Sequence, residues 1–206
     1  MNGRRVILAS SNAGKLKELA VLLAPLGLEL APQQSLGIEA PAETGATFVE
    51  NALLKARYAA RSGLPAIADD SGLEVDALDG APGVRSARYA GEHATDLQNL
   101  HKLLGALADV PPERRGARYR CVIAFVRDAQ DAAPVVAQGA WEGRIAEHAR
   151  GSGGFGYDPV FVPRQSPYTA AELSAADKNA VSHRALALRA LIAQLRSDAL
   201  FNARTP

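Results

Sequence analysis

The stretch Leu64 to Leu73, LPAIADDSGL, constrains this chain more than any other. An apolar run, Leu64 to Ala68, leads into two adjacent carboxylates, Asp69 and Asp70, then Ser71 and Gly72. Apolar runs of this kind read as buried strands. Acids placed where such a strand stops sit at a sheet edge, where open α/β sheets bind ligands. Successive strand side chains point to opposite faces. Asp69 and Asp70 can therefore serve one site only if the strand has already ended, and Ser71-Gly72 predicts that it has. Neighbouring carboxylates repel unless a cation or a proton lies between them. A hard divalent ion, its shell completed by phosphate oxygens, is one occupant that fits. A surface turn with Asp as turn former is the competing reading.

The totals narrow the function classes. The chain has 206 residues, within the range of one domain, and its 48% apolar and 22% charged residues are an ordinary globular composition. A net charge of +1 provides no bulk basic field for nucleic acid. The single Cys121 lies in an apolar run and has no internal disulfide partner, which fits a reducing, cytoplasmic setting. Val6 to Ala9 is too short for a signal-peptide core, and no stretch has the length of a membrane span. Five lysines stand against eighteen arginines. A lysine in so Arg-rich a chain suits a place where a compact point charge is wanted. The five are Lys15, Lys17, Lys55, Lys102 and Lys178.

Val6 to Ala9 reads as a buried strand, followed by the polar loop Ser10-Ser11-Asn12-Ala13-Gly14-Lys15 and a helix from about Leu16 to Leu23. Strand, small-residue loop and helix present backbone N–H groups and a positive dipole end to an anion. The Walker spacing is absent. Leu28 to Ala31 reads as a strand, and Pro32 to Gly45 as a loop containing Glu39 and Glu43. A helix opens at Thr47 with Glu50 three residues on, a capping box, and runs to about Arg61. Asn51 and Lys55 share one face of it. Leu73 to Leu78 reads as a second short strand after the acids. Thr95-Asp96-Leu97-Gln98 caps a helix whose apolar stripe is Leu97, Leu100, Leu104 and Leu107, with His101 on or near the stripe as packing. Tyr119 to Val126 and Pro134 to Trp141 read as paired strands, with Gly143 to Glu147 as a further one. Gly151 to Pro159 is a loop with four glycines, two aromatics and an acid. Its glycines let backbone approach a flat ligand, and an exposed Phe or Tyr can stack on a base. Val160 to Val162 is the strand after it. Ser174 caps a long helix reaching about Leu200, with Leu186, Leu188, Leu191, Ile192 and Leu195 as apolar contacts. Lys178, His183 and Arg184 lie in its first turns. They meet one ligand only from different sides, or if the helix is interrupted.

Taken together, these motifs resemble the inosine triphosphate pyrophosphatase family. The matching pieces are SSNAGKLKEL at Ser10 to Leu19, ETGATFVENALLKA at Glu43 to Ala56, and ADDSGLEVDALDGAPGV at Ala68 to Val84. SARYAG at Ser86 to Gly91, GGFGYDPVF at Gly153 to Phe161, and AELSAADKNAVSHRALAL at Ala171 to Leu188 complete the set. They fall in order over nearly the whole chain. The segments that diverge, around residues 109–118, 128–134 and 163–168, read as loops. The resemblance implies a single domain over residues 1–206 with a mixed α/β fold. Its long twisted central sheet would be flanked by helices, with two lobes, a cleft between them and a homodimer. It implies hydrolysis of dITP, ITP and XTP to the monophosphate and pyrophosphate, with Mg²⁺ as cofactor, no nucleic acid partner and no membrane.

On the same resemblance, Glu43, Asp69 and Asp70 would hold Mg²⁺ directly or through its waters, and Asp70 would be the base. Lys15 and Lys55, with the residue 10–15 amides and Ser71, would hold the triphosphate. Phe155 would stack on the purine beside Gly156 and Tyr157, and Asp158 with Lys178 would line the pocket. His183, Arg184 or a backbone N–H would donate to the 6-oxo group. Two other classes stay in view: a catalytically silent nucleotide-binding module, and an aspartyl-nucleophile phosphatase. The second usually shows an Asp-x-Asp pair after an early strand, whereas these acids are adjacent and mid-chain.

Overall fold

The computed structural model describes residues 5–196. Six strands form one sheet in the order β2-β1-β3-β4-β5-β6. They are β1 (Arg5–Leu8), β2 (Glu29–Pro32), β3 (Ala66–Val75), β4 (Gly116–Val126), β5 (Val135–Ile145) and β6 (Phe161–Pro163). The helices are α1 (Ala13–Leu23), α2 (Phe48–Ala59), α3 (Asp96–Ala106), α4 (Ala175–Val181) and α5 (His183–Leu195). β1 pairs parallel with β2 and β3, while β5 and β6 are antiparallel, so the α/β sheet is mixed. No described helix is long and apolar enough to cross a membrane.

The chain divides into two compact units. One is Met1–Asp70 with Cys121–Gly139 and Arg184–Pro206; the other is Ser71–Arg120 with Ala140–His183. In the first, strand alternation sorts the core into two layers. Val6, Leu8, Ile67, Cys121, Ile123 and Phe125 pack with Leu19 and Leu23 of α1 and with Ala187, Leu188, Leu191 and Leu195 of α5. The intervening residues Ile7, Ala66, Ala68, Val122, Ala124 and Val126 pack with Ala52, Ala56 and Ala59 of α2. The fully buried α2 residues in this layer are alanines, so the helix backbone can approach the sheet closely, with Phe48, Val49 and Leu53 packing at the edge. In the second unit, Leu73, Val75, Leu100, Leu103, Leu107, Trp141, Tyr157 and Phe161 share a core.

Several expectations are corrected. The twin-acid strand does not stop at Ser71: β3 continues through Gly72 to Val75, so Leu73 to Leu78 is no second strand. Gly143 to Glu147 is not a separate strand either, because β5 runs unbroken to Ile145. β4 begins at Gly116, inside a segment expected to be loop. α1 starts at Ala13, three residues early, because the Asn12 side chain caps it by accepting from the Lys15 amide. Leu97 is 61% exposed, and the buried stripe of α3 is Leu100 and Leu103, continued by Leu107 after the helix; His101 is exposed, not packing. Leu186 is also exposed. The C-terminal helix is interrupted: Ser182 is extended and separates α4 from α5. The expected continuation to Leu200 lies outside the described residues.

Candidate active site

The first unit holds the acids and three of the cations. Because β3 stays extended, the alternation that puts Ile67 under α1 and α5 also takes Asp69 there. The alternation that puts Ala68 under α2 takes Asp70 to the other face. The neighbours therefore have different partners. Asp69 is 1% exposed and lies 3.1 Å from Lys15 Nζ on α1 and 3.4 Å from both Arg184 Nε and Nη2 on α5. Arg184 in turn pairs with Glu18 of α1. Burial pushes the Asp69 carboxyl up, but the Lys15 ammonium and then the Arg184 guanidinium outweigh it and hold it well below the usual range. Asp69 is a fixed, ionised counter-charge.

Asp70 faces α2. Lys55 Nζ donates to Asp70 Oδ1 at 2.9 Å and to Glu43 Oε1 at 2.8 Å, so one ammonium gathers both carboxylates. Asn51, one turn before Lys55, donates to Asp70 Oδ2 at 3.2 Å, and its carbonyl oxygen accepts from Gly45 N at 2.8 Å. A Cβ on Gly45 would lie 2.7 Å from that oxygen, so only glycine lets the Glu43 loop close here. Burial pushes the Asp70 carboxyl up, and the Lys55 charge only partly offsets this. Burial alone would lower the Lys55 pKa, but the surrounding Asp70, Asp69 and Glu43 raise it. The result is a stably charged lysine beside a carboxylate that holds its proton more readily than usual, as suits a general base.

The loop before α1 has a defined shape. Ser10 is buried and its hydroxyl accepts from Asn12 N at 3.3 Å, while Asn12 Oδ1 accepts from Lys15 N at 3.0 Å. Ser11 and Asn12 are exposed. Of the four N–H groups a helix start leaves over, Asn12's donates to Ser10 Oγ and Lys15's to Asn12 Oδ1, leaving those of Ala13 and Gly14.

The second unit gathers the expected base-binding residues. Lys178 Nζ donates to Asp158 Oδ2 at 2.6 Å, and both side chains are buried. The same carboxylate accepts from Phe155 N at 2.9 Å and from Tyr119 OH at 3.2 Å. The Lys178 ammonium lies 4.8 Å from the Phe155 ring centroid. His183 stacks on Tyr119 with ring centroids 4.6 Å apart and planes 9° from parallel. Gly154 has φ +71°, and a Cβ there would collide with Asp158 Oδ2. Gly156 also has positive φ, and the Tyr157 hydroxyl donates to Ser86 O at 2.8 Å. Ser71 follows Asp70 in β3 and is half-buried.

The structure thus brings Glu43, Lys55 and Asp70 together and joins Lys15, Asp69 and Arg184 in a second group. Phe155, Asp158, Lys178 and His183 form a third. It separates His183 from Arg184: the first stacks on Tyr119, the second turns to Asp69 and Glu18. This corrects the expectation that Asp69 and Asp70 project from one turn. Among the described residues no three metal-ligating side chains converge on one point. Glu18, Tyr119 and Asp96, whose carboxylate accepts from Gly156 N at 2.7 Å, were not singled out from sequence. Their partners are 166, 39 and 60 residues away, beyond the reach of local patterning.

The Ham1 family's model matches residues 6–194. A dITP/XTP pyrophosphatase from Methylococcus capsulatus is 60% identical over 195 residues, 94% of this chain and 97% of the relative. One from Salmonella paratyphi A is 55% identical over 195 residues, 94% of this chain and 99% of the relative. Among solved structures, a HAM1 protein from Coxiella burnetii aligns with a TM-score of 0.86 at 48% identity, covering 93% of this chain and 98% of that one. A nucleoside-triphosphatase / dITP/XTP pyrophosphatase from Mycobacterium abscessus aligns with a TM-score of 0.73 at 47% identity, covering 93% and 98%.

Proposed function

Because the chain belongs to the Ham1 family, we infer that it is a nucleoside triphosphate pyrophosphatase and propose the role of each group in its site. It hydrolyses deaminated purine nucleotides, dITP, ITP and XTP, to the monophosphate and pyrophosphate, and so clears mutagenic bases from the nucleotide pool. The observation that carries the chemistry is the raised-pKa Asp70 carboxylate held 2.9 Å from Lys55.

In the first unit, Asp70 takes the proton of the attacking water. Negative charge then builds on the departing pyrophosphate, and Lys15 and Lys55 stabilise it. The Ala13 and Gly14 amides and the positive end of α1 add to that field, with Ser10, Ser11 and Asn12 as further phosphate contacts. Ser71, which follows Asp70 in β3 and opens the second unit, keeps the phosphate role the resemblance implies. Asp69 touches no substrate in this scheme: it fixes Lys15 from one side while Arg184, itself paired with Glu18, fixes Asp69 from the other.

Two oxygen ligands converging on one cationic centre fit a hard divalent ion, so Glu43 and Asp70 are the residues that would hold Mg²⁺. When bound, such an ion would neutralise phosphate charge beside Lys55. Asp69, on the opposite face of β3, is left out of that set.

In the second unit, the Phe155 ring takes the purine, and Asp158 and Lys178 fix the loop that carries it, with Gly156 and Tyr157. His183, held flat by Tyr119, donates to the 6-oxo group. Adenine has an amino donor at that position and would leave the buried donor unpaired, which rejects it strongly. Arg184 is turned toward Asp69 and is not the base reader. Homodimerisation and a cytoplasmic location are proposed on the resemblance and the buried thiol of Cys121, and sedimentation of the purified chain tests the dimer. A panel of nucleoside triphosphates with Mg²⁺, scored for product, tests the function. Pyrophosphate from dITP and XTP but little from dATP is expected. Orthophosphate would favour a phosphatase, and no turnover a silent binding module.

A further inference from the structure

Residues 155–158 are held by contacts at every position. Phe155 N donates to Asp158, the Tyr157 hydroxyl donates to Ser86 O, and Asp158 receives Lys178 and Tyr119. The Asp158 amide donates to Phe155 O, and Gly156 N donates to Asp96 Oδ2 at 2.7 Å, a short contact to a carboxylate from another element. Asp96 is the first residue of α3, next to its cap Thr95, and α3 is anchored by Leu100 and Leu103 in the unit's core. A rigid helix thus reaches across 60 residues of sequence to grip the peptide beside the Phe155 ring. Gly156 is left-handed at φ +62°, a backbone conformation that favours glycine, and in it the amide meets a carboxylate from another element.

We propose that Asp96 is a positioning residue for purine selection: by fixing the Gly156 peptide it sets the height and tilt of the Phe155 ring against the base. The inference rests on the reading of Phe155 as the purine platform. A loop released from Asp96 must be ordered again by the ligand, so binding weakens while the chemistry at Asp70 is untouched. The contact is solvent-exposed, so water takes over part of it when the acceptor is removed, and a KM rise of about three- to tenfold is the scale expected.

The alternative is that Asp96 serves only the dipole of α3, and three variants separate the two. Asp96→Ala removes both acceptor and charge, Asp96→Asn keeps an acceptor and removes the charge, and Phe155→Ala removes the platform. Positioning predicts that Asp96→Ala raises the KM for dITP with kcat nearly unchanged and that Asp96→Asn restores it. It also predicts that Asp96→Ala adds nothing in the Phe155→Ala background. A helix-dipole role predicts equal loss of Tm in both Asp96 variants at unchanged KM, which would overturn the proposal. So would an undiminished effect of Asp96→Ala without Phe155. If Phe155→Ala alone leaves the KM for dITP unaltered, the platform reading itself fails, and that outcome is distinct from the other two.

Discussion

Asp69→Asn and Asp70→Asn make the same chemical change one residue apart, and the structure predicts opposite consequences. At Asp69 the amide cannot balance the charges around it. Arg184 keeps Glu18 but loses the Asp69 charge, and Lys15 loses the carboxylate 3.1 Å away. Removing one member of a buried ion pair costs about 3–5 kcal/mol. In a chain of this size each kcal/mol moves Tm by roughly 2–4 °C, so a fall of roughly 6–20 °C is expected. At Asp70 the balance is reversed. The fold raises its pKa, which means that the folded state disfavours the ionised form relative to the unfolded chain. A neutral isostere relieves that penalty, and Lys55 keeps Glu43 at 2.8 Å. Tm should hold or rise, while kcat for dITP falls about 10²–10⁴-fold with the loss of the base. Thermal melts and pyrophosphate release on both variants check this. Near-normal turnover in Asp70→Asn, or equal loss of Tm in the two, would refute the assignment of base and counter-charge.

Three further outcomes follow from the same geometry. Asp69 has a depressed pKa, so its stabilisation is present above the unfolded value of 3.8 and is lost as pH falls below it toward the folded value. Between about pH 7 and about pH 2, urea midpoints of the wild type should drop further than those of Asp69→Asn, and parallel curves would contradict this. His183→Ala should narrow the preference in kcat/KM for dITP over dATP, whereas Arg184→Ala should lower stability and both activities together; a ratio altered only by Arg184→Ala would reverse the two roles. Cys121 is buried, and its thiol is pushed up to about 12 by burial and by the charge of Asp69. The native protein should therefore resist thiol reagents at neutral pH until denaturant is added, and prompt labelling would show the layer beneath α5 to be open.

Local chemistry was legible where it acts locally. The caps Thr47, Thr95 and Ser174 each accept from the amide three residues on. The box at Thr95 closes as read, while Glu50 reaches past Thr47 to Ala46 N at 2.6 Å. What failed was the end of β3. Ser71-Gly72 has the composition of a turn, but β4 neighbours this strand in the sheet and cross-strand pairing outweighs local preference, while the register with β1 covers only Ala66 and Ile67. That error carried a consequence, since a continuing strand must send Asp69 and Asp70 to opposite faces. Arg184 could be picked out by resemblance, but not its turn toward Glu18 and Asp69. The extended Ser182 that divides Lys178 from Arg184 leaves no mark in the helical spacing.

The central claim is that water, deprotonated by Asp70, attacks the innermost phosphorus of a deaminated purine nucleoside triphosphate. Hydrolysis of dITP in ¹⁸O-labelled water, with mass analysis of both products, tests it directly. The label should appear in the monophosphate, with unlabelled pyrophosphate released. Label in pyrophosphate or in orthophosphate would place the attack at another phosphorus and contradict the account.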